Sequence, residues 1–466
     1  MPKFTHQKQY EASKKELWNW YNSPGAFRRI MPEWEGIKPV QVGSLKDDEE
    51  TIFKVSIGPI KRKWIARHHS VVENETFSDR MIKGPFGKWN HQHSFVGSGN
   101  VTKIQDTVDW KLPLHILTGW TAKLTVIPRM NQMFRYRSEK VANDINQIQK
   151  TCDLPRQRVL VSGSTGMIGL QLCAFLEAAG HDVHRLLRVD SKLPVDVNSE
   201  KVIRWNDETG KIIKGDINGF DSVIHLAGAG IGDKRWSQKR KEIIRSSRVI
   251  PTTNLAKILA GSEHPPKAFL SGSAIGYYGD RGTESIDESS SKGDGFLSET
   301  CSQWEQATLV AKESGIRVSH LRSGIVISPL GGALAKLLLP TKMGGGGPVG
   351  GGRQIQSWIS LDDEIYAIHH LMMQDTSQGA YNLTSPNSVS QKEFAKILGR
   401  VLRRPSFMPL PKFALQLMFG EMGKVLIIEG QDVKPTRLQE SGFTFTYSRL
   451  ESCLRNCLGR VKNKFL

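Results

Sequence analysis

Two hydrophobic periodicities divide this chain. Before residue 150, apolar and polar residues alternate in short runs such as Thr51-Ile-Phe-Lys-Val-Ser-Ile57 and Lys63-Trp-Ile-Ala-Arg-His-His-Ser-Val-Val72. That period of two predicts strands with one buried face, and Gly58-Pro59 and Gly84-Pro85 predict turns between them. Helical spacing predicts one helix over Lys14 to Arg29 and a final one near Glu139 to Lys150. Helix, strands, then helix describes an antiparallel sheet curved around a helix. After a polar link at residues 151–157 the texture changes to unbroken apolar runs, each followed by a helical pattern. Val159 to Val161 predicts a buried parallel strand, and the helical period that follows ends at Gly180. A second strand then closes at Arg188. Asp221 to Gly230, a helix from Lys234 to about Ala260, and a strand at Lys267 to Leu270 continue the alternation. This order predicts a doubly wound parallel α/β sheet.

The first strand-to-helix turn carries Gly163-Ser164-Thr165-Gly166-Met167-Ile168-Gly169. Glycines set between a strand and a helix fit a dinucleotide-binding turn. One permits the tight bend, one lets pyrophosphate approach the backbone, and one lets the helix lie close to the sheet. The helix N-terminus supplies free N–H groups for the phosphates. Leu226, Ala227 and Gly228 end another strand at the same sheet edge and complete the expected cofactor contacts. An acidic residue closing the second strand would hold the ribose of NAD, whereas Arg188 stands there, with Arg185 before it and Asp190 beyond. A guanidinium suits a 2′-phosphate, so NADP is the expected cofactor and NAD the alternative.

Length and charge add limits. A chain of 466 residues exceeds one ordinary core. The net charge of +18 divides evenly, +9 before residue 151 and +9 after it, with no dense basic run. Such scatter reads as a solvated surface that attracts anions, and no motif points to nucleic acid. Five scattered cysteines read as free thiols in a reducing compartment. With no signal peptide and no apolar run long enough to span a membrane, a cytoplasmic protein is expected. His91 and His93 alternate on one predicted strand and share a face. Without a third partner they read as structural, and no metal site is expected.

Two family resemblances follow from longer motifs. Residues 18–32, Gly84-Pro-Phe-Gly-Lys-Trp-Asn-His91-Gln-His93-Ser-Phe95 and Asp106-Thr-Val-Asp109-Trp-Lys-Leu-Pro113 resemble the cyclase- and START-like helix-grip domains. That resemblance implies a non-catalytic domain over residues 1–150 that encloses a hydrophobic ligand. Residues 158–462 resemble the sugar-nucleotide-epimerase-like branch of the atypical extended short-chain dehydrogenases, whose members often carry a cell-division-inhibitor label. The matching pieces are Gly163 to Gly169, His225-Leu-Ala-Gly228, Ser273-Ala-Ile-Gly-Tyr-Tyr-Gly279, Gly293-Asp-Gly-Phe-Leu297, Cys301-x-x-Trp304-Glu305, Leu321 to Ser328, Gly344 to Gly352 with Trp358-Ile359, and Pro405 to Phe445. The resemblance implies a Rossmann domain over 157–400 and a small α-rich terminal domain over 401–466.

The catalytic pattern departs from the resemblance. Extended short-chain dehydrogenases use a Ser or Thr with a Tyr-x-x-x-Lys pair. Measured from Ser273, that pair should fall where Leu297 and Cys301 stand. Ser273, to hold a substrate carbonyl, and Tyr277, as proton donor, are the remaining catalytic candidates. The glycine run before Arg353 reads as a mobile lid, with Arg353 contacting an anionic part of a small substrate. Three functions stay open at this point: an epimerase-like oxidoreductase, a dinucleotide-binding regulatory protein that has lost turnover, or a helix-grip domain that carries a lipid or isoprenoid to the second domain.

Overall fold

The computed structural model describes residues 2–57, 60–113, 115–195 and 197–461. The predicted Gly58-Pro59 turn lies outside the described residues. The N-terminal unit is a seven-stranded antiparallel sheet: β1 (Lys3–Tyr10), β2 (Lys38–Gln41), β3 (Glu50–Ile57), β4 (Ile60–Val72), β5 (Thr76–Lys83), β6 (Lys88–Ser98) and β7 (Val101–Lys111), in the order β1-β7-β6-β5-β4-β3-β2. The helix predicted over Lys14 to Arg29 is two, α1 (Lys14–Tyr21) and α2 (Ala26–Ile30). Ser13 and Glu16 form a reciprocal capping box at the start of α1.

The helix predicted near Glu139 to Lys150 is much longer. α3 (His115–Gln149) runs 35 residues and passes through Pro128. Local propensity argues for a stop at that proline. Tertiary burial overrides it, because Met130, Phe134, Val141 and Ile145 form one apolar stripe against the sheet.

The second unit holds β8 (Arg158–Ser162), α4 (Met167–Ala178), β9 (Asp182–Arg188), β10 (Val202–Trp205), β11 (Ile212–Lys214), β12 (Ser222–His225), α5 (Gln238–Ala260), β13 (Ala268–Ala274), α6 (Phe296–Gln306) and α7 (Leu309–Glu313). Its sheet runs β11-β10-β9-β8-β12-β13 and continues through strands Arg317–Ser323 and Gly379–Leu383. All pairs but β10 with β11 are parallel. Alternate residues of β8 serve opposite cores, with Val159 and Val161 on one face and Leu160 on the other. Both faces are therefore buried, as a parallel sheet requires. α8 (Gly332–Lys342), α9 (Leu361–Met373), α10 (Gln391–Leu402) and α11 (Lys412–Phe419) follow. Among the described residues no helix is long and apolar enough to cross a membrane.

The two units meet through more than the polar link. A side chain at Gly25 would place its Cβ 1.9 Å from the Ala174 carbonyl oxygen, so α2 and α4 touch backbone to backbone. Beside that contact lies a buried ion network. Arg29 donates to Asp144 at 2.6 and 2.9 Å and to Asp362 at 3.1 Å, while Lys140 donates to Asp362 at 2.6 Å. All four side chains are buried.

Candidate functional site

The site begins where β8 ends. Gly163 has φ +77°, and a Cβ there would lie 2.6 Å from the Leu226 carbonyl carbon. The loops leaving β8 and β12 cross at that point, so only glycine fits. At Gly169 a Cβ would meet the Gly163 carbonyl oxygen at 2.3 Å, which is the close helix approach the spacing implies. Gly166 differs, because its nearest neighbour would be that same oxygen at 3.4 Å. It is the N-cap of α4 and has no capping side chain. The first N–H groups of α4, at Met167 and Ile168, are thus left without helical acceptors at the loop mouth.

Thr165 and Gly166 are exposed at the tip, while Ser164 is buried and its hydroxyl has no partner among the described residues. Leu226 and Ala227 are half-buried and Gly228 is exposed on the facing loop, where the Leu226 amide donates to the Ser162 carbonyl at 3.0 Å. An open glycine, uncapped amides and an orphaned hydroxyl fit a phosphate-bearing dinucleotide.

At the end of β9 the two arginines part company. Arg185 is buried and donates to Glu177 at 3.1 Å, so it is not available to a ligand, contrary to its sequence reading. Arg188 is 58 % exposed and lies 3.6 Å from Asp190, which is 71 % exposed.

The catalytic candidates sit one strand further along. Ser273 is the last residue but one of β13, where its hydroxyl donates to Glu305 of α6 at 2.7 Å. Arg322, on the adjacent strand, clasps the same carboxylate through two 2.8 Å hydrogen bonds. Burial alone would raise the Glu305 carboxyl, but the Arg322 guanidinium outweighs it and holds the group below the usual carboxylate range. Arg322 also donates to the Tyr278 hydroxyl at 2.8 Å and lies 3.5 Å from the centre of the Tyr277 ring. Glu305 and Arg322 thus link Ser273 to Tyr277.

What faces α6 at the sequence-predicted Tyr and Lys positions is Gly276. A Cβ there would meet Leu297 at 3.2 Å and the Cys301 sulfur at 3.8 Å. Cys301 is buried, and burial pushes its thiol up to about 12, which favours the protonated form. Leu297 belongs to an apolar wall with Trp236, Phe296, Phe419 and Met422 that joins α6 to the C-terminal helices. Nothing local in the sequence marks that wall, because its members lie far apart in the chain.

The glycine run is not a free lid. Met408 donates to the Gly346 carbonyl at 3.1 Å, Leu410 to Pro348 at 2.9 Å, and Gly350 to Leu410 at 2.9 Å. The run is paired along residues 408–410, which the sequence reading did not foresee because that partner is some 60 residues away. Arg353 follows it and is exposed.

The profile of the NAD dependent epimerase/dehydratase family matches residues 159–384, and a domain of unknown function (DUF1731) matches residues 410–457. The chain is 38% identical to "Epimerase family protein Mb2239" of Mycobacterium bovis over 64% of its own length and 96% of that protein's. It is similar in structure to human epimerase family protein SDR39U1 solved with NADPH, with a TM-score of 0.60 and 32% identity over 65% of this chain and 100% of that one. A nucleoside-diphosphate sugar epimerase from Corynebacterium glutamicum matches across the N-terminal unit as well. Its TM-score is 0.79 at 29% identity, covering 98% of this chain and 90% of that chain.

Proposed function

This chain belongs to the NAD-dependent epimerase/dehydratase family, and on that premise we propose that it is an NADP(H)-dependent, epimerase-like oxidoreductase acting on a small molecule. The observation that carries the reading is the cradle between β8 and α4, where Gly166 leaves open space at uncapped amides. The turn from Gly163 to Gly169 would hold the pyrophosphate, Arg188 the 2′-phosphate, and Leu226 to Gly228 the flank of the cofactor. NADP(H), when bound, supplies hydride transfer to or from a substrate carbon. In this reading Ser273 holds the substrate carbonyl, Tyr277 is the proton donor, and Arg353 meets an anionic group of the substrate. NADPH bound to the human relative supports the cofactor choice.

A second reading, cofactor binding without turnover, is favoured by one observation: Gly276, Leu297 and Cys301 together offer no acid or base. Three units go with both readings: a helix-grip ligand-binding unit over 1–150, a dinucleotide-binding unit over 157–400, and a small terminal unit over 401–466, with α10 crossing the last boundary. The aromatic-rich inner face of the first unit supports a largely apolar ligand there.

Calorimetry with NADPH and NADH, run beside NADPH oxidation against a panel of carbonyl substrates, tests the proposal. Binding with turnover supports the first reading, binding alone the second, and no binding sinks both.

A further inference from the structure

His91 and His93 occupy alternate positions of β6, so both imidazoles face the space beneath α3. The antiparallel register then sets a carboxylate beside each: Asp79 of β5 opposite His91, and Asp106 of β7 opposite His93. Asp79 Oδ2 lies 3.2 Å from His91 Nδ1, and Asp106 Oδ1 lies 3.1 Å from His91 Nε2. One donor atom each from Asp79, His91 and His93 falls within 4.8 Å of the others. Both histidines are buried, and Asp79 is 18 % exposed.

The spacing matches a cation of a definite kind. Zinc bonds to nitrogen and oxygen run about 2.0–2.2 Å, so neighbouring ligands of a tetrahedral site stand about 3.4 Å apart. The Asp79–His91 edge of 3.2 Å already has that length. Asp106 also reaches His93: its Oδ1 lies 2.7 Å from His93 Nδ1, so one carboxylate oxygen faces a ring nitrogen of each histidine. Phe77 holds the His93 ring in place, stacked at 4.1 Å and 21°.

We propose that Asp79, His91 and His93 bind one divalent d-block cation, zinc foremost, with Asp106 orienting His91 from behind. Two imidazoles and a carboxylate are the donor set of zinc and iron(II) sites, and three protein ligands leave a further coordination position for water or a ligand oxygen. Asp106 accepting from His91 Nε2 presents Nδ1 to the metal, the arrangement by which a second carboxylate commonly fixes a ligand imidazole. The two carboxylates offset the cation's charge. The site is independent of the dinucleotide reading, since it involves residues 79–106 only.

Full-length protein stripped with a chelator and dialysed, then titrated with cobalt(II) and with zinc chloride, tests the assignment. One equivalent of cobalt(II) should give visible absorption of a four- or five-coordinate site, and zinc should raise the melting temperature. Asp79→Asn and His93→Ala should each lose at least tenfold in metal affinity, and Asp106→Asn about 10- to 100-fold. Wild-type protein that takes up no cobalt at one equivalent overturns the proposal without any variant being needed. Metal uptake that is unchanged in folded Asp79→Asn protein overturns it equally, because the ion then sits elsewhere.

Discussion

The carboxylate of Glu305 and the guanidinium of Arg322 face one another with two hydrogen bonds of 2.8 Å, and both side chains are almost wholly withdrawn from water. This pair, rather than Ser273, is the fixed point at the C-terminal edge of the sheet. Removing one member strands the other. Glu305→Gln should therefore destabilise the protein by about 3–5 kcal/mol, whereas Ser273→Ala, which deletes one donor to that carboxylate, should lose about 1.5–3 kcal/mol. Urea denaturation of both variants checks the order. Equal losses would mean that Arg322 finds another partner.

The three glycines of the first turn should respond differently to valine. At Gly166 the added Cβ has room, so Gly166→Val should fold with near-normal stability and lose NADPH affinity by at least about 100-fold, because its side chain enters the phosphate path. At Gly169 the Cβ would lie 2.3 Å from a backbone oxygen, so Gly169→Val should fail to fold stably. Thermal melts and calorimetry separate the two outcomes.

Arg188 and Arg185 make a second contrast. Arg188→Ala should weaken NADPH by about ten- to a hundredfold and leave NADH nearly unchanged, the worth of one charge-assisted contact to a 2′-phosphate. Arg185→Ala should lower stability through the loss of its buried Glu177 contact and leave cofactor preference alone. An unchanged NADPH-to-NADH ratio in Arg188→Ala would turn attention to Asp190.

Glu364 supplies a pH dependence. It is fully buried in α9, takes one hydrogen bond from Ser323, and burial pushes its carboxyl up to about 7. The folded state then holds a proton that the unfolded chain releases near its ordinary pKa of about 4.3. Its contribution is complete below that value and is lost as pH rises toward 7, a fall on the order of 3 kcal/mol. Asp363, pushed up to about 6 by burial, acts in the same direction. Urea midpoints across this range should decline in the wild type and decline less in Glu364→Gln. A parallel decline in both would remove Glu364 as the cause.

Asp362 binds Arg29 and Lys140 of the N-terminal unit at once. Asp362→Asn should destabilise the chain by about 3 kcal/mol or more and split its melt into two transitions in calorimetry, since it removes the anion shared between two buried cations. A single, unshifted transition would show that apolar packing alone joins the units.

By itself the sequence determined the parallel α/β order, the glycine turn between β8 and α4, and the arginine that ends β9. These are local: a run of buried residues, a backbone conformation open to glycine, a charge at a strand end. It also marked Leu297 and Cys301 as departures from the expected catalytic pair, since position within one helix can be counted. Tertiary structure alone decided the rest. The 35-residue reach of α3 past Pro128 depends on its packing against the sheet formed by residues 3–111. Ser273 meets Glu305 across 32 residues, Asp79 completes the His91–His93 face only through strand pairing, and Asp362 finds its cations in another unit. Each of these contacts joins residues that no periodicity relates, and a charged or polar side chain carries no sequence signal of which partner burial will give it.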